Sequence, residues 1–291
     1  MIVSHAKKPL PILLKSCWQT LVLMLALLLA PLCLAEITRI YVTDTGAVDK
    51  TDPADFFEPL LELALEKTRS TDGDYRLLRN KHGGGIARDR AMVIAGAGID
   101  VMWASVTKER EEQMRLVPVD LLKGYNNYRI LLINRDAQPE FSKVKTLADL
   151  RSFSVGSGEH WTDGAIMKDN GFNLITTSSY GGLFKMLAAR RFHFISRGLN
   201  EVEFDTKKYK DFDLVQEESL LLVYDVPIKY CFFVNKDNAK LGDRIERGLK
   251  IAQQDGSFDQ LFYQIPSFKA AEEILKSSHR TVITIKNTKS N

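Results

Sequence analysis

Cysteine is scarce in this chain, and its scarcity excludes a fold stapled by disulfides. The 291 residues include three cysteines, and two of them, Cys17 and Cys33, lie in an N-terminal segment that we predict to be removed. The remaining Cys231 cannot form an internal bridge, so the fold must be held by its hydrophobic core. Cys231 lies in the apolar run Tyr230–Val234, and we predict that it is a buried apolar side chain.

Motifs of metal and nucleophilic chemistry are also missing. The histidines beyond the N-terminal segment lack the spacing of metal ligands: they are His82, His160, His193 and His279. The chain has no Gly-x-Ser-x-Gly elbow, no His-Glu-x-x-His pair and no glycine-rich loop followed by Gly-Lys-Ser/Thr. We therefore expect no structural metal, no cofactor and no catalytic set.

The first 35 residues have the three regions of a secretory signal peptide. Three lysines are the only charges before Glu36, an apolar run of 12 residues covers Leu21–Leu32, and Ala35 ends a small-residue cleavage site. A membrane span needs about 20 apolar residues. We therefore predict cleavage after Ala35 and a periplasmic protein; an uncleaved anchor and a lipoprotein cut before Cys33 are the alternatives.

Excess positive charge is absent once this segment is removed. The segment carries three of the 40 Lys and Arg residues and none of the 37 Asp and Glu residues, so the rest has 37 of each and no formal net charge. A general nucleic-acid binder needs a basic surface to neutralise phosphates. Nucleic acid is therefore not expected among the partners.

Short β-branched runs alternate with amphipathic helices along the rest of the chain. A first strand is predicted over Ile37–Thr43, and a helix with an apolar face follows the N-cap pair Asp52-Pro53. The order βαβαβ continues to about residue 104, and the pattern restarts with a strand at Tyr128–Ile133. This repetition predicts an α/β protein with two mostly parallel sheets covered by helices. Further predicted elements are the strands Ser152–Val155, Phe192–Ile195, Tyr230–Val234 and Arg280–Ile285, and the helices Ile86–Ala95 and Asp163–Asp169.

Polar and aromatic side chains cluster after the predicted strands, where ligands of α/β sheets bind. Arg110 and Arg197 could each hold a carboxylate bidentately, although the glutamates beside Arg110 offer a surface ion pair instead. A glycine-rich turn predicted over Gly156–Thr162 offers backbone N–H groups to an anion, with an ordinary tight turn as the alternative. Trp103 and Trp161 could stack on a ligand or pack in the core. The candidate ligand-binding residues are Asp44, His82, Trp103, Thr107, Arg110, Ser157, His160, Trp161, Thr162 and Arg197.

Segments at four places stand in the order and spacing of a known family. They are Gly98–Val101 with Ser105–Arg110, Leu147–Leu150 with Phe153–Gly156, the single segment Leu183–Phe192, and Tyr230–Asn235 with Ile245–Gly256. In them the chain resembles the type II periplasmic solute-binding proteins, especially the polar amino-acid group (solute-binding family 3), from Glu36 to about Ile285. The resemblance implies a carboxylate site at Thr107 and Arg110. Where this family usually has an aspartate for the ligand's α-amino group, this chain has Phe194–Arg197, so amino-acid specificity is not implied.

The resemblance also implies the domain plan. Lobe 1 is expected over 36–129 and 229–291, lobe 2 over 130–228, and two hinge crossings near 128–135 and 225–230. The implied function is capture of a small polar, carboxylate-bearing solute (an amino acid or organic acid) by hinge closure, for an ABC transporter permease. The neutral net charge and the lack of heptad repeats make a monomer the default expectation. An orphan or signalling receptor that serves a sensor protein is the nearest alternative. A dehydratase-like enzyme with Glu159, His160 or Asp163 as acid or base, and a scaffold with a degenerate cleft, are the others.

Overall fold

The computed structural model describes residues 37–45, 51–81, 85–277 and 279–289. The predicted signal peptide and His82 lie outside the described residues. Within these ranges no helix is both long and apolar enough to cross a membrane.

The described residues contain twelve strands and twelve α-helical segments. The strands are β1 (Thr38–Thr43), β2 (Tyr75–Asn80), β3 (Val101–Ser105), β4 (Arg115–Leu116), β5 (Tyr128–Asn134), β6 (Val155–Gly158), β7 (Leu174–Thr177), β8 (Phe194–Gly198), β9 (Leu214–Gln216), β10 (Leu220–Tyr224), β11 (Tyr230–Val234) and β12 (Thr281–Ile285). The helices are α1 (Phe57–Lys67), α2 (Arg69–Asp72), α3 (Ile86–Ala95), α4 (Lys108–Gln113), α5 (Gln138–Phe141), α6 (Leu147–Leu150), α7 (Thr162–Asp169), α8 (Tyr180–Ala188), α9 (Val202–Lys208), α10 (Ala239–Gln254), α11 (Ser257–Phe262) and α12 (Pro266–Ser277). Short 3₁₀ turns cover Pro53–Phe56, Tyr125–Asn127, Arg135–Ala137 and Lys210–Phe212.

These strands form two mixed sheets, which confirms the predicted α/β class. The first sheet has the order β2-β1-β3-β11-β4, with β1 parallel to its two neighbours and β11 antiparallel to β3 and β4. The second has the order β12-β10-β5-β8-β6-β7, with β9 also pairing with β5. Strands β6, β7 and β8 run parallel, whereas β5 is antiparallel to β8, β9 and β10.

A close helix pair holds the first sheet's core together. The apolar face predicted after Asp52-Pro53 is buried along α1, and α10 packs against it through Ile245, Leu249 and Ala252. The helices approach so closely at Gly248 that a Cβ atom there would lie 1.9 Å from the Ala64 carbonyl oxygen. Only glycine allows this spacing.

The largest apolar cluster joins the two sheets. It runs from Val42 and Phe232 of the first sheet to Ile130, Leu199 and Val202, which belong to β5 and to the segment after β8. The two sheets are therefore packed against each other in this structure by a shared apolar contact as well as by the chain crossings.

The last strand lies in the second sheet, whereas the expected domain plan assigned it to the first lobe. The strand predicted over Arg280–Ile285 is present as β12. All five of its residues pair in parallel with β10, which is a strand of the second sheet. The plan placed 229–291 with the first sheet's lobe. The alternation Thr281-Val282-Ile283-Thr284-Ile285 explains the pairing, because Ile283 and Ile285 are buried in the second sheet's core while Val282 is exposed.

Two strand boundaries also differ, and both bear on the candidate site. The segment Gly156–Gly158, predicted as part of a turn, belongs to β6, and the turn is confined to the residues that follow. Gly158 is required there because the Trp161 ring covers it, and a Cβ atom would lie 2.3 Å from that ring. Ser196 and Arg197, predicted to follow β8, lie inside it, where Arg197 is opposite Ile130 of β5.

Candidate functional site

A cavity of about 510 Å³ lies between the elements of the two sheets. On the first side it is lined by residues at the ends of β3 and β11 and by the turn that starts at Asp52. On the second side it is lined by β5, β8, β10, the N-terminal end of α7 and one side of α9. A second cavity of about 420 Å³ adjoins it and shares Ile86, Arg110, Trp161 and Thr162 with it.

Five of the ten candidate residues line the first cavity: Trp103, Arg110, Trp161, Thr162 and Arg197. Thr107 and His160 line the second cavity instead. Neither Ser157 nor Asp44 is in the described lining of either cavity. Ser157 is buried beneath Gly164 of α7, and Asp44 is exposed after the end of β1. His82 lies outside the described residues.

Arg110 is a cationic residue of the first cavity that makes hydrogen bonds on both of its sides. It lies in α4, whose N-cap Thr107 accepts a hydrogen bond from the Arg110 backbone N–H at 3.3 Å. Its Nη1 donates to the Ser105 carbonyl oxygen at 2.7 Å and to Thr162 Oγ1 at 3.0 Å, so one bond crosses from the first sheet's side to the second.

This guanidinium is buried without an ion-pair partner among the described residues. Arg110 is 6% exposed, and its Nε has no hydrogen-bond acceptor. Burial is the main reason why the pKa of Arg110 lies below its ordinary value. A buried cation is costly unless it is paired, so the geometry favours a ligand that brings a carboxylate to it.

Arg197 has a different environment from the one predicted. Its Nε donates to Asp205 Oδ2 at 2.6 Å and its Nη2 to the Tyr180 hydroxyl at 3.1 Å. The guanidinium also lies 4.9 Å from the centre of the Trp161 ring. Burial alone would lower the pKa of Arg197, but the Asp205 carboxylate holds it well above its ordinary value. With its charge already neutralised, Arg197 forms a wall of the cavity rather than a second free carboxylate clamp.

A second buried ion pair was missed by the sequence reasoning. Arg129 of β5 is 4% exposed, and its Nε lies 3.2 Å from Asp163 Oδ1. The Tyr224 hydroxyl donates to the same carboxylate oxygen. The signal for this pair was present, because a lone arginine in the apolar strand Tyr128–Asn134 must find a partner when it is buried.

Aromatic rings cover both sides of the first cavity. Phe57 stacks on Trp103 with ring centres 5.5 Å apart, and Tyr230 lies 5.2 Å from Phe57. On the other side Trp161 lies 6.0 Å from Tyr180. Trp103 therefore packs against the core, as one of its two predicted roles required, and also lines the cavity; its stacking on a ligand stays a prediction.

Glu201 provides the most accessible acid on the second side. Its side chain is 33% exposed, and its Oε2 accepts from the Gly198 N–H at 3.1 Å and lies 3.4 Å from Arg197 Nη2. Burial raises the pKa of Tyr230, which Glu201 raises further and Arg110 lowers. The carboxylate and the unpaired guanidinium therefore both act on the same phenol.

The formal charges around the first cavity are balanced. Its described lining includes four cations and four carboxylates: Arg110, Arg129, Arg197 and Lys208, with Asp52, Asp163, Glu201 and Asp205. A balanced lining suits a ligand of low net charge with separate positive and negative ends. No group of three or more His, Cys, Asp and Glu side chains among the described residues could hold a metal ion.

Comparison with known proteins finds similarity to solved structures but not to family models or curated sequences. No family model matches the sequence, and no curated protein does. A periplasmic binding protein of Salmonella typhimurium with high arginine specificity matches in structure with 16% identity, covering 78% of this chain and 98% of that one, at a TM-score of 0.58. The substrate-binding protein of an amino-acid ABC transporter matches with 16% identity, 78% and 98% coverage and a TM-score of 0.55. A histidine kinase sensor domain similar to periplasmic binding proteins matches with 15% identity, 79% and 95% coverage and a TM-score of 0.56.

The fold is therefore that of the type II periplasmic binding proteins, as the sequence resemblance predicted. The chain is similar in structure to periplasmic amino-acid-binding proteins at low sequence identity. At this identity the likeness establishes the architecture, and the ligand must be argued from the cavity itself.

Proposed function

We propose that this chain is a periplasmic solute-binding protein that captures a small amino-acid-type solute in the first cavity. The observation that carries the proposal is Arg110, a buried guanidinium with an unpartnered Nε and no ion pair among the described residues. A solute carboxylate in the cavity would supply the missing counter-charge by accepting from the guanidinium, and hydrogen bonds to charged groups contribute about 1.5–3 kcal/mol each.

Glu201 is the proposed partner for the amino group of the same solute. Both of its contacts use Oε2, which leaves Oε1 for an ammonium ion. Asp163 and Asp205 are less suited, because Arg129 and Arg197 already neutralise them. The aromatic rings of Trp103 and Trp161 would cover the solute's side chain, whether that chain is apolar or cationic.

Closure of two lobes is the proposed mechanism of capture. The lobes correspond to the two sheets, with hinge crossings near 128–135 and 225–230 and with β12 in the second lobe. The Arg110–Thr162 hydrogen bond joins the two sides, so it can form only in the closed arrangement. A solute that contacts Arg110 on one side and Glu201 on the other would shift the population towards closure.

Binding is preferred to catalysis because the predicted acid/base residues do not converge. Asp163 is held by Arg129 and Tyr224, while Glu159 and His160 are exposed in the turn after β6. We assign the protein to the periplasm from its predicted signal peptide, and a transporter permease as its partner, with a sensor protein as the second candidate. The likeness to a transporter's binding protein supports the first, and the likeness to a kinase sensor domain supports the second.

A ligand screen tests the proposal. The exported protein is heated with amino acids, organic acids without an amino group, polyamines and short peptides. One class should raise the unfolding temperature in a dose-dependent way, since a ligand at 100 times its Kd stabilises by about 2.7 kcal/mol. Amino acids should succeed where polyamines fail. Chromatography of the recovered solute should find it unchanged; conversion to a product would replace the binding proposal with the enzyme alternative.

A further inference from the structure

The first cavity is larger than a free amino acid requires. Its volume of about 510 Å³ equals that of roughly 17 water molecules at about 30 Å³ each. Most amino acids would leave part of this space to water, whereas ligand sites usually enclose most of the ligand's surface. The size of the cavity favours a longer solute, and the polar groups of its lining indicate of what kind.

The two side chains proposed to hold the charged ends of the solute lie apart. Burial lowers the pKa of Arg110, and the neighbouring groups that adjust this pKa are Tyr230, Arg90 and Glu109. Glu201 is not one of them, although Glu201 and Arg110 both shift the pKa of Tyr230, which burial raises. Tyr230 therefore lies within electrostatic reach of both charges, while the two charges lie farther from each other. An α-amino acid carries its carboxylate and ammonium on one carbon atom, whereas a dipeptide holds them apart on either side of its peptide group.

A buried amide beside Glu201 is an independent sign of a neutral polar group on the solute. Asn200 is 3% exposed, lines the first cavity and makes no side-chain hydrogen bond among the described residues. Its Oδ1 is enclosed against Gly198, where a Cβ atom would lie 2.6 Å from it. Its Nδ2 is not enclosed, so it remains a donor for an oxygen atom in the cavity. Because a buried donor without an acceptor costs free energy, Asn200 favours a solute that brings a carbonyl oxygen.

The Tyr230 hydroxyl is a second neutral group without a partner. It lies on the first residue of β11, lines the same cavity, and makes no hydrogen bond among the described residues. A hydroxyl can accept a hydrogen bond as well as donate one, so it can accept from the N–H of a peptide group. We propose that the solute is a dipeptide-like zwitterion whose peptide group is bound by Asn200 and Tyr230, between a carboxylate at Arg110 and an ammonium at Glu201. This inference rests on the proposed function, since it uses the same cavity and the same two charged contacts.

Calorimetric titration of the exported protein tests this ligand class. The titrants are L-alanine, L-glutamine, L-alanyl-L-alanine, glycylglycine and 5-aminopentanoate. The last has the chain length and the charged ends of glycylglycine, but two methylene groups replace its peptide group. Alanylalanine should bind at least about tenfold more tightly than alanine or glutamine. Glycylglycine should bind about tenfold more tightly than 5-aminopentanoate, which can make neither hydrogen bond of the peptide group.

Two variants locate the effect in the cavity. Asn200→Ala and Tyr230→Phe each remove one proposed bond, so each should reduce the ratio of the glycylglycine affinity to the 5-aminopentanoate affinity about 2- to 10-fold. Tyr75→Phe is the matched control, because the Tyr75 hydroxyl bonds to Glu66 at 3.2 Å and Tyr75 lines neither cavity. It should leave the ratio unchanged. Urea unfolding without solute shows which variants are folded, and either variant of the cavity suffices for the test.

The outcomes separate this inference from the proposed function. Equal affinities for glycylglycine and 5-aminopentanoate, or a ratio that the folded variants of Asn200 and Tyr230 do not change, would overturn recognition of a peptide group. Tighter binding of alanine or glutamine than of alanylalanine would overturn the dipeptide class and leave the proposed function intact. If none of the titrants binds, the inference and the proposed function are overturned together.

Discussion

Replacing Arg110 by alanine should separate binding from folding. In the proposed complex the solute carboxylate accepts from Arg110, and the loss of one such charge-assisted bond costs about 1.5–3 kcal/mol. The Kd of the solute found by screening should therefore rise roughly 10- to 150-fold. Isothermal titration calorimetry measures this change directly.

The same change should cost little stability. It removes the Nη1 bonds to Ser105 and Thr162, each with a net contribution of about 0.5–1.5 kcal/mol. It also removes a buried cation that has no ion pair among the described residues, which offsets that loss. We expect the free energy of unfolding in urea, measured without solute, to fall by no more than about 1 kcal/mol.

Arg244 offers a matched control. It is 4% exposed, and its Nε and Nη2 donate to Thr68 Oγ1 at 3.1 Å and to the Gly73 carbonyl oxygen at 2.7 Å. Arg244→Ala should lower the free energy of unfolding by about 2–3 kcal/mol, because it strands buried acceptors, and should leave the Kd within twofold. An unchanged Kd for Arg110→Ala, or equal losses of stability in both variants, would refute the assignment of Arg110.

Three further predictions concern the scaffold. Gly248→Ala should destabilise by about 1–3 kcal/mol or more in urea unfolding, because its new Cβ would overlap the Ala64 carbonyl; wild-type stability would show that the two helices can separate without cost. Asp205→Asn should cost about 3–5 kcal/mol in the same assay by removing the charge of the 2.6 Å partner of buried Arg197, and a loss below 1 kcal/mol would mean that Glu201 and Tyr180 suffice. Burial raises the pKa of Cys231 from 9.0 to about 12, so the native thiol should resist a thiol-specific disulfide reagent at pH 8 and react only on unfolding. Since the folded state holds that proton more tightly, this contribution to stability is complete below pH 9 and is lost as the pH rises towards 12; rapid native reaction at pH 8 would contradict the burial.

Local patterns predicted much of the fold. Helix Ile86–Ala95 and strand Tyr230–Val234 have the predicted bounds, because their apolar spacing and end signals agree with their tertiary positions. Segment Gly156–Gly158 was assigned to a turn, since glycine usually marks one. Here the covering Trp161 ring makes glycine necessary within a strand, a contact that arises only once the chain is folded.

The candidate site was predictable only in part, for a related reason. The sequence reasoning placed Arg110 at the cavity because it follows a strand at the edge where ligands of α/β sheets bind, and it does line the cavity. Whether Arg197 was free could not be read from the sequence, because its neutralising partner Asp205 lies on the next helix and reaches back to it. Arg129 and Asp163 meet across 34 residues of chain, so the sequence signalled that a buried Arg129 needs a partner but not that the partner is Asp163. Pairing between distant charges decides which cations remain available to a ligand.

The position of β12 in the second sheet has a practical consequence. Strand β1 lies in the first sheet and β12 in the second, so Ile37 and Val282, which are 55% and 59% exposed, are attached to different sheets. Fluorescent dyes on cysteines introduced at these two positions would report the separation of the sheets by energy transfer. The buried thiol of Cys231 would not compete for the dyes, so the chain could be converted into an optical sensor of the proposed solute.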